Sequence, residues 1–282
     1  MIYKEKFRPS RLVIGIVMTA VCVIWVMPLV FGAFTTFKSE MEIKSVNFHM
    51  IPEQWTLDNY RNVLGNTGNT PIVRWFFNSL IISTATSIGV VVLISLAAYG
   101  YTRLRWRGQH TCFYLVLALS FFPQIVNIIP LFFIMTKLEW VNTMMAVIVP
   151  ALGGVTNIFL VRQFMLGIPY EFDEAARIDG AGELTIYARI ILPMLKPILT
   201  VVALFSFTGQ WNDLLWPHIV FNDVQKMPLT PGLQLLMGAY GNFFLGSIMT
   251  GAVLAVIPTF ILYICAQKYF LQSLSLSAGV KG

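Results

Sequence analysis

Six long apolar runs dominate this chain and leave few folds open to it. They lie at about 12–34, 76–101, 112–135, 142–165, 197–219 and 247–270, each long enough to cross a bilayer core roughly 30 Å thick. Inside lipid no water is available to the backbone, so a spanning segment must satisfy its own N–H and C=O groups, and a helix does this within one segment. A barrel would instead show alternating segments of about ten residues. The runs are continuous in Leu, Ile, Val and Phe. The expectation is an all-α integral membrane protein with six transmembrane helices, forming a single membrane domain over residues 1–282.

Composition agrees. Only 11% of the 282 residues are charged, against about 25% in soluble domains. A water-facing surface cannot be built from so few charges, so most of this surface must face lipid. The net charge of +6 does not point to nucleic acid, because the basic residues are scattered at the ends of the apolar runs. Cys22, Cys112 and Cys265 fall in or beside those runs with no CxxC spacing and no His partner. They read as small apolar packing residues, with no metal or disulfide implied. The first run is too long for the core of a cleavable signal and lacks a small-residue cleavage site.

Lys and Arg set the direction of the spans. With the N-terminus inside, 13 of them fall in inner segments and 6 in outer ones, and Arg103, Arg105 and Arg107 form the strongest anchor. Both termini are expected in the cytoplasm. The longest inner connection is then residues 166–196, followed after the sixth run by an inner tail, 271–282. The outer segments are about 35–75 and 220–246.

Within the inner loop, residues 168–193 read IPYEFDEAARIDGAGELTIYARIILP. Pro169 suits the start of a helix. Glu171, Asp173 and Glu174 follow, where the helix dipole favours negative charge. Asp173 and Arg177 are spaced to pair across one turn. Gly180 is a left-handed stop, so Tyr170–Asp179 is expected to be one short helix. By spacing, Phe172, Ala175 and Ala176 share a face. A second helix is expected from Glu183, with Leu184, Tyr187 and Ile190/Ile191 at helical spacing. Pro193 and Pro197 then kink the entry to the fifth span.

The pattern Glu174-Ala175-Ala176, Gly180, Ile190, Leu192, Pro193 resembles the EAA loop of permease subunits of ATP-binding-cassette importers at each of its defining positions. The resemblance runs along nearly the whole chain. Asn59-Tyr60 and Phe77-Asn78-Ser79-Leu80 look like the entry to the permease core. Trp211-Asn212, Leu215-Trp216-Pro217, Gly251-Ala252, Ile257-Pro258 and Gln267-Lys268-Tyr269-Phe270 are similar to the sugar branch. The tail Ala278-Gly279-Val280-Lys281-Gly282 looks like that of the smaller permease of maltose-type transporters, although Leu274-Ser275-Leu276-Ser277 departs from the usual Gly-Leu-Thr-Ala-Gly run.

The resemblance implies a type I importer permease fold with a cytoplasmic coupling helix, in a bacterial cell membrane. It implies that the chain forms half of an alternating-access pathway for a sugar, an oligosaccharide by preference. The implied partners are a second homologous permease, two ATPase subunits, and an extracellular or periplasmic sugar-binding protein. Glu174 would meet a basic residue of the ATPase. Ala175 and Ala176 would pack into its cleft, Phe172 would belong to the same coupling surface, Gly180 would make the turn, and Leu192-Pro193 would join the loop to the fifth span. Lys281 would reach the same interface. No G-x₄-G-K-[ST] phosphate loop occurs here. The chain is therefore expected to be a transport subunit without catalytic residues, metal or cofactor of its own, with ATP and Mg bound by the partner ATPase.

Polar residues at membrane depth mark either a solute pathway or interhelical hydrogen bonds. Gln124, Asn127, Asn157, Gln210, Asn212 and Trp216 are the candidates for a sugar pathway. In the last outer segment, Ala239-Tyr240-Gly241-Asn242 resembles the scoop loop that enters the binding protein in this family. The alternatives are a secondary transporter, for which the chain shows no related halves or central acidic pair, and an importer permease for a solute other than sugar.

Overall fold

The computed structural model describes residues 9–47, 49–65, 71–238 and 245–279. Among them every regular element is helical. Three helices are long and apolar enough to cross a membrane unbroken, and six spans result if each bent helix pair is counted as one. The chain divides into two compact units, Met1–Ile72 with Leu233–Val256, and Val73–Gly232 with Ile257–Gly282.

The first unit begins with α1 (Pro9–Thr35). No residue in its most apolar stretch is buried, so its side chains are presented to a surrounding apolar phase. Two short helices follow, α2 (Glu40–Ile43) and α3 (Asp58–Gly65). Asn59 stitches this unit together: its buried amide donates to the carbonyls of Thr36 at 2.9 Å and Lys38 at 2.8 Å. The Phe37 ring lies between those of Trp55 and Tyr60.

The second unit is organised on α4 (Ile72–Thr102), an unbroken span. Polar residues line its buried side, and several of them tie it to other parts of the unit. Asn78 donates to the carbonyls of Gln225 and Met227, and the Ser79 hydroxyl accepts from the Leu229 N–H. Ser87 donates to the Ala203 carbonyl, and Ser95 pairs with the Tyr187 hydroxyl.

The third and fourth apolar runs depart from the straight helices expected. The third is α5 (Gln109–Leu119) and α6 (Ile128–Lys137), bent by 87° around a 3₁₀ turn at Gln124–Asn127. Pro123 has no N–H to return to Leu119 and pushes Phe122 out of helical geometry, so the helix stops there. The fourth is α7 (Met145–Ala151) and α8 (Val155–Leu166), bent by 41°. Gly153-Gly154 falls at that break, where two residues without side chains disfavour continuing the helix.

Two short helices follow, α9 (Glu171–Ile178) and α10 (Glu183–Ile186), then a π turn at Tyr187–Ile191 and α11 (Leu192–Met194). The fifth span, α12 (Lys196–Trp211), leaves this run at 77°. It ends earlier than the expected 219. A separate short helix, α13 (Leu215–Val220), follows it. The remaining helices are α14 (Leu229–Gly238) and α15 (Leu245–Gly279).

Candidate coupling site

The loop between the fourth and fifth runs is folded and anchored. α9 carries Glu171, Asp173 and Glu174 in its first turn and Arg177 in its last, matching the helix dipole at both ends. It stops by a Schellman arrangement: Gly180 has φ +80°, its N–H bonds to the Arg177 carbonyl, and the Ala181 N–H bonds to the Ala176 carbonyl.

Asp173 does not pair with Arg177, as the spacing had suggested. It faces inward with no side-chain exposure and lies 3.3 Å from the equally buried guanidinium of Arg103, just beyond the end of α4. The contact is charge on charge, without the alignment of a hydrogen bond. The same guanidinium donates to the carbonyls of Ile168 at 2.7 Å and Met165 at 3.3 Å, at the C-terminal end of α8, where a cation meets the negative end of the dipole. It also sits over the Tyr170 ring, 4.2 Å from the centroid, and the Tyr170 hydroxyl donates to the Thr102 carbonyl.

Arg177 turns instead to Glu183, at 2.9 Å. Glu183 receives a second donor, the Tyr99 hydroxyl, at 2.7 Å. Its carboxyl is held below the usual range, first by that Tyr99 hydrogen bond and then by Arg177. Glu183 stands in the loop, ahead of the apolar fifth span.

Ala176 is buried among Val161, Met165, Ile168 and Ile186 in the core of this unit. Phe172, Ala175 and Ala176 therefore do not share one exposed face, as their spacing suggests. Phe172, Glu174 and Ala175 point outward, and Ala176 points inward beside Asp173. Ile178 and Leu184 are 86% and 79% exposed. Phe172 is also exposed, at 48%.

Leu184 also leaves the buried face expected of the second helix. Ile186, Ile191 and Leu195 occupy that face, all fully buried. The step of five from Ile186 to Ile191 is that of the π turn. Pro193 lacks the N–H that would close on the Arg189 carbonyl, and the turn before it widens. Leu192 and Pro193 then line an apolar groove of about 480 Å³ with Val91, Leu199 and Ala203.

The expected pathway residues are dispersed. Gln124 and Asn127 are exposed on the 3₁₀ turn at the break of the third run, and Asn157 and Gln210 are half-buried. Asn212 donates to the Thr208 carbonyl and caps its own helix. The Trp216 indole N–H is taken by the Ala146 carbonyl. Ala239, Tyr240, Gly241, Asn242 and Lys281 lie outside the described residues. The residue that sequence reasoning missed is Tyr99, and Arg103 reads from sequence only as a topological charge.

The profile of the binding-protein-dependent transport system inner membrane components matches residues 89–276, two thirds of the chain and all of the loop. The chain belongs to this family. The permease is similar to the arabinooligosaccharides transport system permease protein AraQ of Halalkalibacterium halodurans, at 34% identity over 259 residues and 91% of each chain. It is also similar to the trehalose/maltose transport system permease protein MalG of Thermococcus litoralis, at 32% identity over 98% of each chain. A solved bacterial ABC transporter involved in import of the acidic polysaccharide alginate shares its fold. The TM-score there is 0.82 at 21% identity, over 96% of the permease and 99% of that chain. The permease is thus a multi-pass membrane subunit of an ATP-binding-cassette importer. It is a transport component, and its family works with separate ATPase and binding-protein partners. Family membership favours the importer over a secondary transporter.

Proposed function

We propose that the permease forms half of the translocation pathway of an oligosaccharide importer, paired with a second homologous permease and driven by two ATPase subunits that bind ATP and Mg. The observation that carries this reading is the outward side of α9: Phe172, Glu174, Ala175 and Ile178 are exposed, on a helix whose other side is locked into the core. An exposed carboxylate on a helix that also exposes apolar side chains suits a cleft with a basic residue. Gly180 sets the bend, and Leu192-Pro193 lead into α12. The 13-to-6 distribution of Lys and Arg supports a cytoplasmic side for this loop and both termini. Lys281 extends the same interface from the tail. Ala239-Tyr240-Gly241-Asn242, on the opposite side, meets the binding protein. Gln124, Asn127, Asn157 and Gln210 offer amides to sugar hydroxyls, while Asn212 and Trp216 contribute packing and an aromatic face.

Oligosaccharide as cargo is supported by the relatives whose names specify arabinooligosaccharides and trehalose or maltose. The test is co-purification from the native membrane, followed by uptake of labelled arabinotriose, galactotriose and maltotriose. An ATPase is expected to co-purify, and Glu174→Lys or Ile178→Asp is expected to release it while leaving the permease folded. Uptake by this chain without any ATPase would overturn the proposal.

A further inference from the structure

The covalent route from α9 to the fifth span is compliant. It passes the Gly180 turn, a π turn and a 77° bend. The side-chain route from α9 to α4 is short and buried. Arg103 and Tyr99 stand four residues apart on the end of α4, so they share one side of it. Arg103 holds the first turn of α9 through Asp173 and Tyr170, and Tyr99 holds the last turn through Glu183 and Arg177. Tyr170 adds a third tie, to the Thr102 carbonyl. One face of α4 therefore grips the helix at both ends. A positive charge serving only to mark the cytoplasmic side would lie in water or among headgroups. The Arg103 side chain is wholly buried and binds both α9 and the C-terminal end of α8.

We infer that Arg103 is a positioning residue that delivers displacement of α9 to α4, so that the second span carries the coupling stroke together with the fifth. This rests on the reading of α9 as the ATPase-docking helix. Close-packed, charge-paired contacts have little slack, so α9 and the end of α4 move as one body.

The test uses the whole complex with Cys22, Cys112 and Cys265 replaced by Ser and a reporter, Phe77→Cys, near the opposite end of α4. Its labelling by a membrane-impermeant maleimide is compared between nucleotide-free and vanadate-trapped complexes. Trapping is expected to change the labelling rate about five-fold or more. Two variants break the grip: Arg103→Lys keeps the charge but loses the fork that spans carbonyls and carboxylate, and Arg103→Met with Asp173→Leu leaves no lone buried charge. In either, trapping is expected to leave the rate unchanged while ATP hydrolysis persists. A full response in an assembled variant overturns the inference, as does no response in the reporter alone. If neither variant assembles, the pair serves folding only and the inference is likewise overturned. Absence of an ATPase from the unaltered complex would instead defeat the docking reading itself.

Discussion

The Tyr99 hydroxyl lies 2.7 Å from a Glu183 carboxylate oxygen and so fastens the start of α10 to the last turn of α4. Tyr99→Phe removes this donor and leaves Arg177 in place. The expected loss is about 1 kcal/mol, read as a lower unfolding temperature of the purified complex. The effect depends on pH. Because the folded carboxyl sits below its ordinary value of 4.5, its contribution is full above that value. It is lost as pH falls through the lower folded value. Melting followed downward from neutral pH should show wild type and Tyr99→Phe converging. A constant gap at all pH values would contradict the assignment.

Gly180 has φ +80° and open space where a Cβ would stand. Substitution there acts on the backbone alone. Gly180→Val is expected to cost about 1–3 kcal/mol and Gly180→Asn much less, since Asn tolerates the left-handed region. Retention of the ATPase by both variants under increasing detergent would report this order. Equal behaviour of Val and Asn would show that the turn is not what matters.

Asn142 is one of the non-glycine residues at positive φ, at 63°. Its Oδ1 accepts from the backbone N–H groups of Asn222 at 2.6 Å and Asp223 at 3.0 Å. Asn142→Asp keeps both acceptor and conformation and is expected to be nearly neutral. Asn142→Ala loses both and should cost about 1–2 kcal/mol. Thermal unfolding of the two variants distinguishes them, and Asp failing as badly as Ala would refute the account.

Gly232 lies flat against the buried indole of Trp75, whose N–H is fixed on the Val224 carbonyl. A methyl at 232 would come within 2.4 Å of the ring, and the ring is itself buried. Gly232→Ala should therefore destabilise by about 1–3 kcal/mol despite its better helix propensity. Expression and melting at wild-type levels would count against this packing.

Much of α9 was legible because its signals are local. Three acids open the helix, Arg177 closes it, and Gly180 is the residue that a left-handed turn selects. The partner of Asp173 was not legible. Arg177 is one turn away in sequence, but Arg103 approaches through the fold, and burial strengthens the charge contact that excludes water. The 87° break in the third run did have a signal in Pro123, which a measure of mean hydropathy cannot register. The inward turn of Ala176 had none, because alanine suits both a core and an interface.

Membrane residence, helical spans and the outline of the coupling loop were determined by the sequence alone. Hydropathy, capping and proline geometry act over a few residues and need no partner. Only the tertiary structure decided that Arg103 is a buried hub and not a surface charge, that Ala176 belongs to the core, and that α4 holds both ends of α9. Those outcomes depend on which distant surfaces exclude water together, and no short stretch of chain encodes that by itself.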